Sequence, residues 1–188
     1  IGFYFSDHPL NYFPKKFFEL EKIDLFQNYY LNKNINSMKV CGAILDIKER
    51  SNKDGKKYAF ITVSETNFQF ELTIFSENLY KYRPLLKEGN ILIFYVDVIK
   101  NKSDTRFIIK KILSLSKLFQ ESNFKFSIYS SIEDILSVKD KIFQKKINSS
   151  NKIDLFVNVN NKLISFDFNK YSIKSYKALD ELKKSKIL

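Results

Sequence analysis

The residues of this sequence that could do chemistry are aromatic rings and cations in neighbouring segments. Tyr58, Phe60 and Phe75 lie in two neighbouring stretches, 58–63 and 68–75, that are rich in apolar and aromatic residues. Aromatic faces stack on unpaired bases, and cationic side chains contact phosphates. The candidate cations are Lys48, Arg50, Lys53, Lys56, Lys57, Lys81, Arg83, Lys100, Lys102 and Arg106. The combination predicts a surface that binds single-stranded nucleic acid.

A β-hairpin is predicted to place the three rings on one face. With a two-residue turn at Thr66 and Asn67, one face of the hairpin is wholly apolar. Its pairs are Val63–Phe70, Ile61–Leu72 and Ala59–Ile74. The pairs on the other face are Thr62–Glu71, Phe60–Thr73 and Tyr58–Phe75. A slip of one residue would mix the two sets, so the pattern specifies one register. The alternative is that the strands curl and a neighbouring domain covers the rings.

Residues 37–118 predict five strands and one helix in the order β-β-β-α-β-β, which is the order of an OB-fold five-stranded barrel. The predicted strands are 38–49, 58–63, 68–75, 90–99 and 107–115, and the predicted helix is 77–86. Gly42, inside the first strand, predicts a bulge or a sharp bend. The lysine-bearing loops 51–57 and 100–106 are those that flank the binding groove in such barrels.

Segments on both sides of the barrel complete the predicted organisation, which is mainly β plus α+β. Residues 1–36 predict an N-terminal helical and linker segment that packs on a larger body. Residues 119–188 predict a small β-α-β-β-α domain, with a hairpin turn at Asn160 and Asn161 and a final helix near 175–186. The chain starts at Ile1 without a methionine, so we expect a fragment of a longer protein.

The composition favours a polyanionic partner and argues against catalysis. The net charge is +11 and the pI is about 9.5, as expected of a protein that binds nucleic acid. With a single histidine, His8, and a single cysteine, Cys41, the chain has neither a disulfide nor a Cys/His metal cluster. We therefore expect no catalytic residue, no metal and no cofactor in this fragment.

A lone cysteine favours the cytoplasm. The longest apolar run, Ile91–Val96, is far short of the ~20 residues of a membrane helix.

Three ordered motifs resemble the C-terminal region of the bacterial DNA polymerase III alpha subunit. The first is Gly2–Leu10, which is similar to the Ser-x-His-Pro box that precedes the family's OB domain. The second is Lys53–Val63, with its Gly-x-x-Tyr-Ala-Phe sequence. The third is formed by Glu71–Phe75, Leu79–Arg83 and Leu85–Gly89. Together they cover about residues 1–118 in order and with the family's spacing.

The resemblance implies an OB module that binds single-stranded DNA, followed by a tail that docks the clamp loader tau subunit and other replisome proteins. It also implies that the catalytic carboxylates of a DNA-directed DNA polymerase lie upstream, in domains of the same chain that would contact this fragment. The sequence departs from the family at Asp7, Phe68 and Val96, where glycine is usual. Glu71 and Asp97 add carboxylates that repel phosphate.

Two other functions fit parts of the sequence. One is a pure protein-docking module, with an OB fold that binds no nucleic acid and a tail that contacts the clamp loader. The other is an OB-type anticodon-binding domain of a tRNA synthetase, for which Phe60 between basic strands is suitable. The Ser-x-His-Pro box and the appended α+β domain argue against the synthetase.

Overall fold

The computed structural model describes residues 8–32, 34–101, 104–122, 125–145, 152–167 and 170–173. The chain divides into two units, Ile1–Leu115 and Ser116–Leu188. Three sequence predictions lie outside the described residues. They are most of the Ser-x-His-Pro box (residues 2–7), the cation Lys102 and the helix near 175–186.

The first unit is a closed barrel preceded by short helices. Its helices are a 3-10 helix Pro9–Tyr12, α1 Lys15–Leu20, α2 Asn28–Leu31 and α3 Ser76–Tyr82. Its strands are β1 Ser37–Ser51, β2 Lys57–Ser64, β3 Gln69–Phe75, β4 Ile91–Lys100 and β5 Thr105–Ser114. The strand order around the barrel is β1-β2-β3-β5-β4, with α3 between β3 and β4 in sequence. The predicted OB-fold barrel is confirmed.

The β2–β3 hairpin has the predicted register. All six predicted cross-strand pairs are formed. The backbone N–H of Glu65 donates to the carbonyl oxygen of Phe68 at 2.7 Å, which closes the two-residue turn. The six apolar residues of the inner face are buried: Ala59, Ile61, Val63, Phe70, Leu72 and Ile74. Burial of this face holds the other face of β2 and β3 outward.

β1 pairs with two different strands of the barrel. It pairs with β4 through Ser37–Ala43 and with β2 through Ala43–Ser51. Of the bulge or sharp bend predicted at Gly42, the bulge is wrong in position, because the register shifts between Ile44 and Asp46. Gly42 is needed for a different reason. A Cβ at this position would clash with the backbone carbonyl of Ser64 and the side chain of Val63.

α3 is shorter than predicted. It ends at Tyr82, and residues 83–85 form a turn. Pro84 accounts for the difference, because it lacks the backbone N–H that would donate to the carbonyl of Tyr80 and continue the helix. Gly89 has a φ of +80°, the left-handed conformation expected after this segment.

The second unit contains two small sheets. Its elements are α4 Leu115–Glu121, which begins at the boundary, β6 Lys125–Ser131, α5 Ile132–Ile142, β7 Phe143–Lys145, β8 Lys152–Val159, β9 Lys162–Asp167 and β10 Tyr171–Ile173. One sheet has the order β6-β8-β9, with β6 parallel to β8, and the other pairs β10 with β7. The predicted hairpin turn is confirmed, with φ values of +50° at Asn160 and +63° at Asn161. The two short strands β7 and β10 were not predicted. No helix in the described ranges is long and apolar enough to cross a membrane.

Candidate nucleic-acid interface

The outward surface of β1, β2 and β3 carries the three predicted rings in two rows of cross-strand neighbours. The rows are Arg50–Tyr58–Phe75 and Lys48–Phe60–Thr73. We call these six residues the aromatic face. The ring centroids of Tyr58 and Phe60 are 5.5 Å apart with an interplanar angle of 85°, so the two rings meet edge-to-face and are not stacked on each other. Tyr58 and Phe60 are partly exposed, and Phe75 is 46% exposed.

The aromatic face borders an open groove of about 900 Å³. Six of the predicted residues line the groove: Lys56, Lys57, Tyr58, Phe60, Phe75 and Arg106. Lys56 is the last residue of the β1–β2 loop, Lys57 is the first residue of β2, and Arg106 lies near the start of β5. Both predicted lysine-bearing loops therefore contribute to one concave surface that also contains the rings.

The β1–β2 loop has a defined conformation that sets the position of its lysines. The Asn52 side-chain oxygen accepts hydrogen bonds from the backbone N–H groups of Asp54 at 3.0 Å and Lys56 at 2.8 Å. Gly55 adopts a φ of +74°, which glycine tolerates without strain. Because the loop closes on itself, Lys56 and Lys57 start from a fixed backbone at the edge of the groove.

Two cations at this surface already have carboxylate partners. The Lys48 ammonium lies 3.2 Å from an Asp46 oxygen, and Arg106 Nε lies 3.0 Å from an Asp104 oxygen. By contrast, Arg50, Lys53, Lys56 and Lys57 are exposed and make no ion pair with any described residue. These four are the cations most available to a phosphate.

Three other predicted cations have different positions. Arg83 pairs with Glu49 at 2.9 Å. Glu49 lies opposite Ala59, a residue of the buried set, so this ion pair is not part of the aromatic face. Lys81, on α3, lies over the Tyr82 ring at 5.2 Å, and the Lys100 ammonium donates to the Asn36 side chain at 3.2 Å. None of the three lines the groove.

The groove also has an aromatic wall that sequence reasoning missed. Phe26, Tyr30 and Phe107 line it. Phe26 stacks on Phe70 at 3.9 Å between centroids, and meets Phe107 edge-on at 4.7 Å. Tyr30 is 55% exposed, next to the buried Tyr29 in α2. The sequence shows only two adjacent tyrosines, Tyr29 and Tyr30, and does not indicate which of them is exposed.

The two carboxylates that we expected to repel phosphate, Glu71 and Asp97, lie in different places. Asp97, on β4, forms an ion pair with Lys110 at 3.3 Å and does not line the groove. Glu71, on β3, is exposed and lines the groove. Of these two carboxylates, Glu71 alone is therefore positioned to act on a ligand held in the groove.

The buried titratable groups near the N-terminal segment are structural. Cys41 is buried, which raises the pKa of its thiol to about 12 and keeps it protonated and unreactive at neutral pH. The backbone N–H of Leu10 donates to His8 Nδ1 at 3.2 Å, and His8 Nε2 lies 3.0 Å from Ser64 Oγ. Burial lowers the pKa of His8, which favours the neutral ring. His8 thus ties the N-terminal segment to the end of β2.

The buried carboxylate of Glu65 is expected to make the free energy of unfolding depend on pH. Its carboxylate is buried and accepts a hydrogen bond from Phe26 N–H at 3.1 Å, and burial raises its pKa above 4.5. The unfolded chain therefore loses this proton at lower pH than the folded chain does, and stability falls as pH rises through that window. Glu65→Gln keeps the acceptor without the charge. We expect its gain in free energy of unfolding over the parent to be small below pH 4.5 and to grow above it.

Urea unfolding of both proteins across this pH range measures the effect. Glu88→Gln, at an exposed carboxylate in the turn before Gly89, is the matched control and is expected to show no such trend. A Glu65→Gln difference that is the same at every pH would contradict the assignment.

Comparisons with known proteins bear on the barrel. Residues 38–115 match the family model described as an OB-fold nucleic acid binding domain. DNA polymerase III subunit alpha of Rickettsia prowazekii is 27% identical over 131 residues, which are 69% of this chain and 11% of that protein. The corresponding subunit of Bacillus subtilis is 32% identical over 93 residues, which are 49% of this chain and 8% of that protein. The barrel region is similar in sequence to DNA polymerase III alpha subunits.

The resemblance of the sequence to the alpha subunit is thus confirmed over the OB-fold barrel. The chain spans only 11% and 8% of the length of these two alpha subunits. Among solved structures, a mitochondrial single-stranded DNA binding protein of S. cerevisiae aligns with a TM-score of 0.38 and 15% identity, over 43% of this chain and 93% of that chain. The second OB-fold domain of replication protein A from Methanococcus maripaludis gives a TM-score of 0.34 and 18% identity, over 44% of this chain and 85% of that chain.

Proposed function

We propose that the barrel binds single-stranded DNA as the OB module of a replicative DNA polymerase alpha subunit. The observation that carries the proposal is the aromatic face, in which partly exposed rings and cations share two cross-strand rows beside an open groove. The relation of the barrel to DNA polymerase III alpha subunits supports DNA as the ligand. The polymerase reaction itself belongs to upstream domains of the parent chain.

Binding combines stacking with phosphate contacts. Bases stack on Tyr58, Phe60 and Phe75, and each stacked base contributes roughly 1–3 kcal/mol. Arg50, at one side of the face, and Lys56 and Lys57, at the edge of the groove, contact the phosphates. Phosphate contacts carry no base information, so they set the position of the strand and its overall affinity.

Salt dependence tests the phosphate contacts. Each neutralised phosphate of a single strand contributes about 0.7 to the slope of log affinity against log salt, so three contacts predict a slope of about −2. Fluorescence anisotropy of a labelled oligo-thymidine across a sodium chloride series measures it. Lys57→Ala is expected to reduce the magnitude of the slope by about 0.7.

Lys87→Ala is the matched control, because Lys87 is exposed but does not line the groove. It is expected to leave the slope unchanged. Absent binding, or binding that does not respond to salt, would overturn the proposed function. Equal slopes for Lys57→Ala and Lys87→Ala would instead remove Lys57 from the phosphate contacts.

We propose as a second function that the second unit docks a replisome protein, the clamp loader tau subunit. The supporting observation is β9, an edge strand with large exposed apolar side chains. Leu163 is 59% exposed, Ile164 41% and Phe166 45%. Such residues on an edge strand are suited to burial by a partner.

Pull-down with the tau subunit is expected to fail for Ile164→Asp. Lys162→Asp, at an exposed position of the same strand that is already polar, is the control. If Ile164→Asp associates with the tau subunit as the parent does, the proposed docking role of β9 is wrong.

A further inference from the structure

The outward surface of β1–β3 becomes acidic one row beyond the aromatic face. The next row is Asp46–Thr62–Glu71. Both carboxylate oxygens of Asp46 already have partners. One accepts a hydrogen bond from the backbone N–H of Ile47 at 2.8 Å, and the other forms an ion pair with Lys48 at 3.2 Å. The Glu71 side chain makes no ion pair and no hydrogen bond with any described residue. Its carboxylate therefore has its full accepting capacity available in the groove.

Glu71 lies at the distance from the rings that one base would occupy. Alternate residues of a strand are about 6.4–6.8 Å apart, and the outward residues of β3 are Gln69, Glu71, Thr73 and Phe75. Thr73 separates Glu71 from Phe75, and Phe60 is the diagonal cross-strand neighbour of Glu71. Diagonal cross-strand neighbours are about 7–8 Å apart, so a base stacked on Phe60 is within reach of the Glu71 carboxylate.

A carboxylate at that place distinguishes among bases. It repels phosphate, so the backbone of a bound strand is held on the side of Arg50, Lys56 and Lys57, away from Glu71. It accepts hydrogen bonds from an exocyclic amino group, which cytosine and adenine present and thymine lacks. Opposite Glu71, the keto oxygen O4 of thymine brings two acceptors together, which costs a hydrogen bond and adds repulsion.

We propose that Glu71 is a specificity-determining residue, which makes the groove prefer a base with an exocyclic amino group, such as cytosine, over thymine. The proposal rests on the function proposed above and deepens it. The aromatic face and the loop cations bind any single strand, and Glu71 adds base preference at one position.

Competition between two homopolymers tests the proposal. Anisotropy titrations use fluorescein-labelled twelve-nucleotide oligo-deoxycytidine and oligo-thymidine at pH 7.5, with the full 188-residue chain. The parent is expected to bind the cytosine strand about tenfold more tightly, within the range that one good base contact provides. Glu71→Ala is expected to bring the ratio close to one, with affinity for the thymine strand unchanged or higher because a repelling charge is removed.

Glu88→Ala removes the same charge outside the groove and is expected to keep the parent ratio. Tight but equal binding of the two strands by the parent overturns this inference and leaves the proposed function standing. A preference for cytosine that survives in Glu71→Ala also overturns it, because the contact then lies elsewhere. If neither strand binds, the proposed function fails and the inference fails with it.

Discussion

Phe60→Ala is expected to weaken the binding of single-stranded DNA by a factor of about 5 to 150, which corresponds to the loss of one base–aromatic contact of 1–3 kcal/mol. Phe60 lies at the centre of the aromatic face, between Lys48 on β1 and Thr73 on β3. It is partly exposed and points away from the barrel core, so its removal leaves the six buried residues of the hairpin in place. Anisotropy titration gives the affinity, and urea unfolding confirms that the barrel stays folded.

Tyr80→Ala is the matched control for this experiment. Tyr80 is a 65% exposed aromatic residue on α3 and does not line the groove. Its replacement is expected to leave DNA affinity unchanged. Equal affinity losses for Phe60→Ala and Tyr80→Ala, or no loss in either, would contradict the role given to the aromatic face.

Gly42→Ala is expected to destabilise the barrel by about 3 kcal/mol, the upper part of the range for overpacking a buried position. The added Cβ would clash with the backbone of Ser64 as well as with Val63, and a strand backbone cannot move aside as a flexible side chain can. Gly42 lies where β1 passes from its pairing with β4 to its pairing with β2. The clash therefore acts on the strand that joins both halves of the barrel.

Gly55→Ala provides the comparison in the same strand pair. Gly55 is exposed in the β1–β2 loop, and a Cβ there has nothing within 4 Å. Its positive φ makes alanine cost about 1 kcal/mol of backbone strain. Urea unfolding is expected to rank Gly42→Ala well below Gly55→Ala in stability. The reverse order, or equal losses, would contradict the packing argument.

The parts of the fold that could be predicted are those in which a local pattern excludes the alternatives. In the β2–β3 hairpin, alternation of apolar residues and a two-residue turn left one acceptable register. The Asn160–Asn161 hairpin was predictable for the same reason, because asparagine tolerates the left-handed backbone that this turn needs. The bulge in β1 was misplaced because the strand is apolar on both sides, so its pattern does not mark the residue at which the register shifts.

The parts of the site that could not be predicted depend on long-range contacts. Arg83 and Glu49 are 34 residues apart, and only the packing of α3 and the following turn against the barrel brings them together. Tyr30 joins the groove because its neighbour Tyr29 is buried against the barrel, which the local sequence does not specify. The rings and loop cations were predictable because they lie on adjacent strands. Which cations remain unpaired was not.

Photo-crosslinking tests the central claim most directly. An oligonucleotide with 5-iododeoxyuridine at single positions couples on irradiation to aromatic residues that contact the base. Tyr58, Phe60 and Phe75 all lie in the tryptic peptide 58–81, so mass spectrometry can locate the coupled residue within it. Crosslinks at these three rings are the predicted result. Crosslinks confined to exposed rings elsewhere, such as Tyr80 on α3 or Tyr129 on β6, would contradict the account.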